Sequence, residues 1–277
     1  MNKNAKIWIA GHRGLVGSEI YQQLQERGYT NLITRTHKEL DLINQYDVHY
    51  FFQEEKPEYI ILAAALVGGI WDNKTRIADF CYQNMMIQNN VIHNAYQVGT
   101  KKLLFLGSSC IYPRDCPQPI KEEYLLNSPL ESSNEGYAIA KISGLKLCQY
   151  YNQQYGTKFV SAMPSNIYGS ENDNYDLEKS HVLPALLRKF HEAKIQNKAE
   201  VVCWGTGAPR REFIHVSDVA DACLYLMENY EGNSPVNIGL GEDISIKELT
   251  KIMAEVVGYS GKIVWDNTKP DGTPRKL

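Results

Sequence analysis

The sequence Lys6-Ile7-Trp8-Ile9-Ala10-Gly11-His12-Arg13-Gly14-Leu15-Val16-Gly17 joins a compact apolar run to a GxxGxxG pattern. The apolar run predicts a buried strand, and the glycines allow backbone N–H groups to approach a pyrophosphate at the positive N-terminus of the following helix. A glycine pattern alone could equally form an ordinary tight turn. Here it follows the first strand of a strand–helix series, which favours a dinucleotide site.

Outward from this turn, short apolar runs alternate with helical patterns. Strands are predicted at 6–10, 31–34, 59–63, 102–106 and 159–163, and helices at 18–27, 79–98 and 137–155. Near-continuous apolar strands separated by helices are typical of a parallel sheet covered on both faces. The first part of the chain is therefore predicted to form a Rossmann-type, doubly wound α/β domain.

This alternation ends after about residue 169, where a polar loop at 170–180 begins a less regular region. We assign residues 1–169, together with about 211–230, to the cofactor-binding domain. Residues 170–210 and 231–277 are assigned to a smaller C-terminal α/β lobe that binds substrate. The boundary near 211–230 is soft, because the helical pattern there could fold back onto the first domain.

The composition is that of a folded protein without a strong charge bias. The chain has 277 residues, 43% of them hydrophobic, and a formal net charge of −3, which argues against nucleic acid or a membrane surface as the main partner. The longest apolar stretch, 59–67, is too short to span a bilayer. We find no signal peptide, no CxxC pair and no zinc-ligand spacing among the six cysteines, so we predict a cytoplasmic protein with reduced thiols and no metal.

The end of the second predicted strand bears on the choice of dinucleotide. A basic residue there holds the 2′-phosphate of NADP, whereas an acidic residue holds the 2′-hydroxyl of NAD. Arg35 lies in this loop and Arg13 in the glycine turn beside it, which favours NADP. Glu39 and Asp41 are close enough to leave NAD open, and Arg35 could also be a solvated loop cation.

A tyrosine and a lysine, Tyr137 and Lys141, are spaced four residues apart at the start of a predicted helix. This spacing places both side chains on one helix face, where an ammonium group can lower the pKa of the phenol. Such a pair is often only a surface contact. Ser108, which follows the strand at 102–106, gives the pair more weight because ligands of open α/β sheets bind at strand carboxyl ends. The chemistry indicated is reduction of a carbonyl group, or the reverse.

These segments resemble the extended short-chain dehydrogenase/reductases and, more closely, the GDP-L-fucose synthase family. The glycine turn and the YxxxK pattern are common to the superfamily, whereas the segment around Cys110 and the terminal run are more specific. The matching segments are 9–14, 63–65, 67–70, 82–87, 103–113, 137–141, 180–182, 211–213 and 269–277.

The resemblance implies a set of catalytic roles. Tyr137 donates a proton to O4, Lys141 is its electrostatic partner and a ribose ligand, and Ser108 orients the C4 carbonyl. Cys110 is the base that removes protons at C3 and C5, and His181 is the acid that returns them. From the residues alone, Cys110 could as well be a small buried side chain and His181 a loop histidine.

The resemblance also implies the cofactor NADP(H), which delivers hydride to C4, and a GDP-sugar substrate. The residues carried over for the substrate are Lys189, Trp204, Arg211 and Asp271. Those carried over for the cofactor are Gly11, His12, Arg13, Gly14, Leu15, Val16, Gly17, Arg35, His37, Asp41, Leu42, Ala64, Leu106, Gly107, Lys141, Pro164, Asn166, Ile167 and His181.

Several departures leave alternatives open. His37 and Lys189 stand where the family more often has arginine, and the chain stops at Leu277 where the family continues, so the substrate lobe is expected to be incomplete. The leading interpretation is C3/C5 epimerisation followed by reduction at C4. The runner-up is a C4-reductase without epimerisation that acts on another GDP-4-keto sugar, such as a 6-deoxy-heptose. A dehydratase, a 4-epimerase or a non-catalytic NADP-binding scaffold fits less well, and a homodimer is expected by analogy.

Overall fold

The structure is a computed structural model that describes residues 1–169, 173, 175–177, 180–269 and 271–277. The polar loop predicted at 170–180 lies partly outside the described residues. The helices are α1 (Leu15–Glu26), α2 (Gln45–Glu55), α3 (Ile70–Thr75), α4 (Ile77–Gln97), α5 (Glu135–Tyr155), α6 (Val182–Ile195), α7 (Val216–Asn229) and α8 (Ile246–Val257).

Among the described residues, the strands form one large sheet and three small ones. They are β1 (Ile7–Ala10), β2 (Leu32–Ile33), β3 (Tyr59–Leu62), β4 (Lys102–Leu106), β5 (Phe159–Pro164), β6 (Asn166–Tyr168), β7 (Glu200–Trp204), β8 (Arg210–Arg211), β9 (Phe213–His215), β10 (Val236–Ile238), β11 (Ile244–Ser245), β12 (Lys262–Asp266) and β13 (Arg275–Lys276).

The large sheet has six parallel strands in the order β10-β5-β4-β3-β1-β2. The predicted doubly wound, Rossmann-type fold is confirmed. The strand order reverses between β1 and β3, and ligands of such sheets bind beyond the strand carboxyl ends at this reversal. The glycine turn follows β1 directly, so the local motif and the topology indicate the same place.

Helices cover both faces of this sheet and bury two separate apolar cores. One core contains Trp8 and Phe105 and lies under α2, α4 and α5, whereas the other contains Ile9 and Leu104 and lies under α1 and α7. Neighbouring residues on one strand therefore point into different cores, as the twofold period of a strand requires. Helix α2 was not predicted from the sequence. Asn44 caps it by accepting from the N–H groups of Tyr46 and Asp47.

The smaller lobe is built from α6, α8 and the two-stranded sheet of β7 and β12 around a third core that includes Phe190 and Leu249. The structure corrects part of the proposed division. Strand β10, assigned to the substrate lobe as part of 231–277, pairs with β5 and forms an edge of the large sheet. Helix α7 packs against α1. The second segment of the cofactor-binding domain therefore extends past residue 230 and includes β10.

In the part of the chain that the structure describes, none of the helices combines the length and apolar character that crossing a membrane requires.

Candidate active site

The glycine turn between β1 and α1 has the geometry of a phosphate-binding loop. Gly11 has φ of +91°, and a Cβ there would lie 2.7 Å from the backbone nitrogen of Ala64 at the end of β3. A Cβ at Gly17 would overlap the carbonyl oxygen of Gly11. Gly14 is the N-cap of α1 and brings no side chain to its first N–H groups. Those N–H groups and the positive helix end fit a pyrophosphate, and this supports a dinucleotide at this turn.

The acidic side chains of the loop after β2 already accept hydrogen bonds from groups of the same loop. The Glu39 carboxylate accepts from the N–H and the hydroxyl of Thr36, at 2.7 Å each, and Asp41 accepts from Ile43 N at 3.0 Å. These contacts disfavour either carboxylate as the ligand of a ribose 2′-hydroxyl. The loop therefore fits NADP better than NAD.

The cations of this loop differ in their surroundings. Arg35 pairs with Glu55 at 2.5 Å and donates to the carbonyl of Thr34 at 2.8 Å. Arg13 is exposed, and His37 is 80% exposed with its Nδ1 atom 3.8 Å from Asp41. Arg35 is thus held against α2, so the Arg13 guanidinium and the His37 ring are more available to a ligand.

The other residues carried over for the cofactor gather at the carboxyl ends of the strands. Ala64 faces Gly11, and a Cβ at Gly107 would overlap Met163 on β5. Asn166 donates to the carbonyl of Glu212 at 2.8 Å. Among the remaining members, Leu42 packs on the first core, Leu106 ends β4, Pro164 ends β5, and Ile167 on β6 lines the cavity described below.

Tyr137 and Lys141 lie on the first turns of α5, opposite the turn that follows β4. Lys141 is 3% exposed and its Nζ donates to the carbonyl of Leu106 at 2.8 Å, while lying 5.8 Å from the Tyr137 ring centroid. Burial lowers the pKa of Lys141 to about 7. Burial also raises the pKa of Tyr137, with the nearby Cys110 adding to the rise and a hydrogen bond with Ser108 opposing it.

These directions correct one expectation from the sequence. The lysine was expected to lower the phenol pKa, but in the protein alone that pKa is raised, because the same burial that surrounds Tyr137 also disfavours the ammonium form of Lys141. A phenol with a raised pKa is fully protonated at neutral pH. Tyr137 is therefore in the form of a proton donor.

Cys110 lies one turn from Ser108 and is surrounded by hydrogen-bond donors. The amide of Asn134 donates to its Sγ at 3.2 Å, and the ammonium of Lys276 at 3.4 Å. Burial alone would raise the pKa of this thiol. The charge of Lys276, hydrogen bonds with Ser108 and Lys276, and the charge of Arg211 outweigh burial, so the pKa of Cys110 is lowered. The site thus favours a thiolate.

His181 is the N-cap residue of α6, whereas Cys110 lies in the turn that follows β4, so the two come from different elements. The His181 ring is accessible from the cavity but lies among protein atoms, and this desolvation lowers its pKa, with Asp173 opposing the effect and Lys276 adding to it. The imidazole is therefore neutral at pH 7, and when protonated it is a stronger acid than a free histidine.

Three of the residues carried over for the substrate, Lys189, Trp204 and Asp271, lie together at the end of the cavity formed by the smaller lobe, whereas Arg211 on β8 lies near Cys110. Trp204 ends β7, with the ammonium groups of Lys189 and Lys269 at 5.3 and 5.1 Å from its ring centroid. Asp271 accepts from the N–H and hydroxyl of Thr206, at 2.8 Å each, and so holds the turn that follows Trp204.

A single cavity joins these groups. It runs between the large sheet and the smaller lobe, and its lining includes Ser108, Cys110, Tyr137, His181, Lys189, Trp204, Arg211 and Asp271. Cys110 and Lys276 are 166 residues apart in the sequence, yet both line this cavity and are in contact.

Glu131, Asn134 and Lys276 are among the lining residues to which the sequence assigned no role. The matching run at 269–277 contains Lys276, but nothing in its own sequence links it to Cys110. That link depends on β13, which pairs with β8 and so places Lys276 beside Arg211.

With this geometry in place, comparison with known proteins places the chain in a family. The NAD dependent epimerase/dehydratase family matches residues 7–239, and the chain belongs to it. A finer placement follows from a relative named putative GDP-L-fucose synthase 2 from Arabidopsis thaliana, which is 61% identical over 277 residues, 100% of this chain and 84% of the relative. The predicted membership of the GDP-L-fucose synthase family is confirmed.

Crystal structures that are similar over the whole chain include the following two. A GDP-6-OMe-4-keto-L-xylo-heptose reductase from C. jejuni has a TM-score of 0.94 and 43% identity, over 100% of this chain and 90% of its own. A GDP-L-fucose synthetase from Naegleria fowleri bound to NADP has a TM-score of 0.90 and 28% identity, over 100% of this chain and 86% of its own.

Proposed function

We propose that this enzyme epimerises a GDP-4-keto-6-deoxy sugar at C3 and C5 and then reduces it at C4 with NADPH, the reaction of a GDP-L-fucose synthase. The observation that carries the proposal is the pairing, in one cavity, of a protonated phenol at Tyr137 with a thiol at Cys110 whose pKa is lowered. The first group suits carbonyl reduction and the second suits removal of a proton from carbon.

Epimerisation needs a base on one face of the sugar and an acid on the other. Protons at C3 and C5 are acidic because they are alpha to the C4 ketone. The Cys110 thiolate takes such a proton, and the electron pair of the C–H bond delocalises onto the C4 oxygen. His181, once protonated, returns a proton to the opposite face. The two side chains come from different elements of the cavity, which supports this division of roles.

Reduction uses three other side chains, Ser108, Tyr137 and Lys141. NADPH, when bound, supplies the hydride for C4. Ser108 holds the carbonyl oxygen, and Tyr137 donates its phenolic proton to that oxygen as negative charge develops there. Lys141, beside the phenol, stabilises the tyrosinate that results when it carries its proton.

The predicted cofactor, NADP(H), is confirmed by the family and by the NADP-bound relative. We propose that the backbone N–H groups of the glycine turn hold its pyrophosphate. Arg13 and Arg35 provide the positive charge for the 2′-phosphate, and the exposed His37 ring adds a polar contact. Exchanging Arg13 for alanine is expected to raise KM for NADPH about tenfold, the effect of one charged hydrogen bond, with a smaller change for NADH.

The GDP moiety is proposed to lie along the smaller lobe. Lys189 and Arg211 provide cations for the diphosphate, and the Trp204 indole offers a flat apolar surface for the nucleotide or sugar. Lys189 acts as a point charge rather than a planar fork, so it contacts the phosphates without the bidentate geometry of arginine. Asp271 contributes by fixing the turn beside Trp204.

The alternative is a reductase that does not epimerise. The similarity to the heptose reductase from C. jejuni supports this alternative. Incubation with GDP-4-keto-6-deoxymannose in D₂O without NADPH distinguishes the two. We expect deuterium at C3 and C5. A protein that oxidises NADPH with this sugar but incorporates no deuterium would be a reductase alone.

We also propose a homodimer formed through α4 and α5. Both helices carry exposed large apolar side chains, Tyr82 on α4 and Tyr150 and Tyr155 on α5 among them, and packing them against a second copy would remove this apolar surface from water. Light scattering is expected to give twice the chain mass, and a monomer would refute this proposal.

All six cysteines are free thiols, which supports a cytoplasmic location.

A further inference from the structure

We propose that Lys276 and Asn134 are positioning residues that hold the Cys110 side chain as a thiolate ready to remove a proton from carbon. The proposal rests on the proposed function for the purpose of the thiolate, but the contacts themselves belong to the protein alone. Neither residue was assigned a role from the sequence.

The geometry places two donors on one sulfur. The Lys276 ammonium is 3.4 Å from Cys110 Sγ and the Asn134 amide is 3.2 Å from it. A neutral thiol accepts hydrogen bonds weakly, whereas a thiolate accepts them well and is also stabilised by a cation. Two donors directed at this sulfur therefore fit the ionised form.

The groups that face Cys110 come from four parts of the fold. Lys276 on β13 and Arg211 on β8 bring positive charge, while Ser108 at the end of β4 and Tyr137 on α5 bring hydroxyl groups. Since Tyr137 is protonated at neutral pH, the two cations are the charges that the thiolate meets. Lys276 is the nearer of these, with a direct hydrogen bond.

Both donors are held in place by the backbone around them. Strand β13 pairs with β8, and the N–H of Glu212 donates to the carbonyl of Lys276 at 3.1 Å. Asn134 lies immediately before α5, and its N–H donates to the carbonyl of Glu131 at 3.2 Å. The Oδ1 atom of Asn134 is buried and has no hydrogen-bond partner among the described residues. The Asn134 amide therefore makes few hydrogen bonds, and the one to Cys110 explains why a polar side chain is placed there.

Alkylation of Cys110 by iodoacetamide in the substrate-free protein tests this directly. The rate at Cys110, followed by peptide mass spectrometry over pH 6 to 10, measures the thiolate fraction at that residue. We expect Lys276→Met to raise the midpoint by about one pH unit or more and to slow alkylation at pH 7 about tenfold. Asn134→Ala is expected to produce a smaller shift in the same direction.

Matched variants separate this role from others. Lys276→Arg keeps the charge and is expected to retain most of the original profile, whereas Lys269→Met removes a lysine beside Trp204 and is expected to leave the profile unchanged. If Lys276 served only to bind the substrate diphosphate, Lys276→Met would raise KM while leaving the alkylation midpoint in place, and the proposal would be overturned. A shifted midpoint in a protein that incorporates no deuterium would instead uphold these contacts and reject the epimerase function.

Discussion

The two halves of the cavity treat their reactive groups in opposite ways. Around Tyr137 and Lys141 burial dominates, raising the pKa of the phenol and lowering that of the ammonium to about 7, so both groups are pushed toward their neutral forms. Around Cys110, which is half-buried, desolvation also opposes the charged form, but cations and hydrogen bonds outweigh it. The difference lies in the partners, since both halves are desolvated.

This contrast matches the two steps of the proposed reaction. A proton donor must be protonated at working pH and a base must be deprotonated, and one cavity can hold both only if their surroundings move the two pKa values apart. Tyrosine ordinarily titrates above cysteine, and the site widens that gap. The halves should therefore respond separately to mutation and to pH.

The largest expected effects come from removing the proposed reacting groups one at a time. Tyr137→Phe is expected to slow NADPH oxidation about 10²–10⁴-fold while leaving deuterium exchange at C3 and C5 within a few-fold of the parent. Cys110→Ser is expected to slow deuterium exchange at C3 and C5 by a comparable factor, while NADPH oxidation stays within a few-fold of the parent. Both rates are measured on the same GDP-4-keto sugar, by absorbance and by mass spectrometry. Loss of exchange in a folded Tyr137→Phe protein would show that the halves are not independent.

The pH dependence of exchange sharpens the same contrast. Because the pKa of Cys110 is lowered, exchange without NADPH is expected to rise about tenfold per pH unit and to level off below the ordinary thiol range. Tyr137→Phe is expected to leave this profile in place, since the phenol remains protonated throughout. A levelling point above pH 9 would contradict the direction assigned to the thiol.

The smallest expected effect concerns stability rather than rate. The folded pKa of Lys141 is about 7 and lies below its unfolded value, so between those two values the unfolded chain binds more protons and the contribution of Lys141 to stability rises with pH. Lys141→Met is expected to stabilise the ligand-free protein at pH 7 by about 0.5–2 kcal/mol and to flatten its stability between pH 7 and 10.

Thermal unfolding of the ligand-free protein at several pH values measures this effect. Lys146→Met, on the same helix, is the control and is expected to change stability by about 0.5 kcal/mol or less and to keep the pH dependence of the parent. Destabilisation of Lys141→Met at pH 7 would mean that the ammonium is stabilised in the fold rather than desolvated.

Strands β1 to β5 of the large sheet could be predicted because each is a short apolar run with its own local signal. The apolar run at 102–106 coincides with β4, and the run at 6–10 differs from β1 by one residue. Short elements such as β8 and β13 have two residues each and carry no such pattern. Strand β10 lies far from its neighbour β5 along the chain, so its place in the large sheet could not be inferred from local periodicity.

The site divides in the same way. The glycine turn and the Tyr137–Lys141 pair are local, since their spacing alone places the groups together, and the sequence identified both. The direction of the phenol pKa was wrong, because it depends on how much protein surrounds the pair and not on the four-residue spacing. The lysine that contacts Cys110 was missed, because the two are 166 residues apart.

The sequence by itself therefore determined the fold class and the family, since these reside in short contiguous patterns, and it supplied the proposed set of reacting side chains. Only the tertiary structure decided which forms those side chains take. Burial and charge at a site are sums over neighbours from distant segments: β13 brings Lys276 to Cys110, and the packing of α5 on β4 desolvates Lys141. Those sums exist only once the chain is folded.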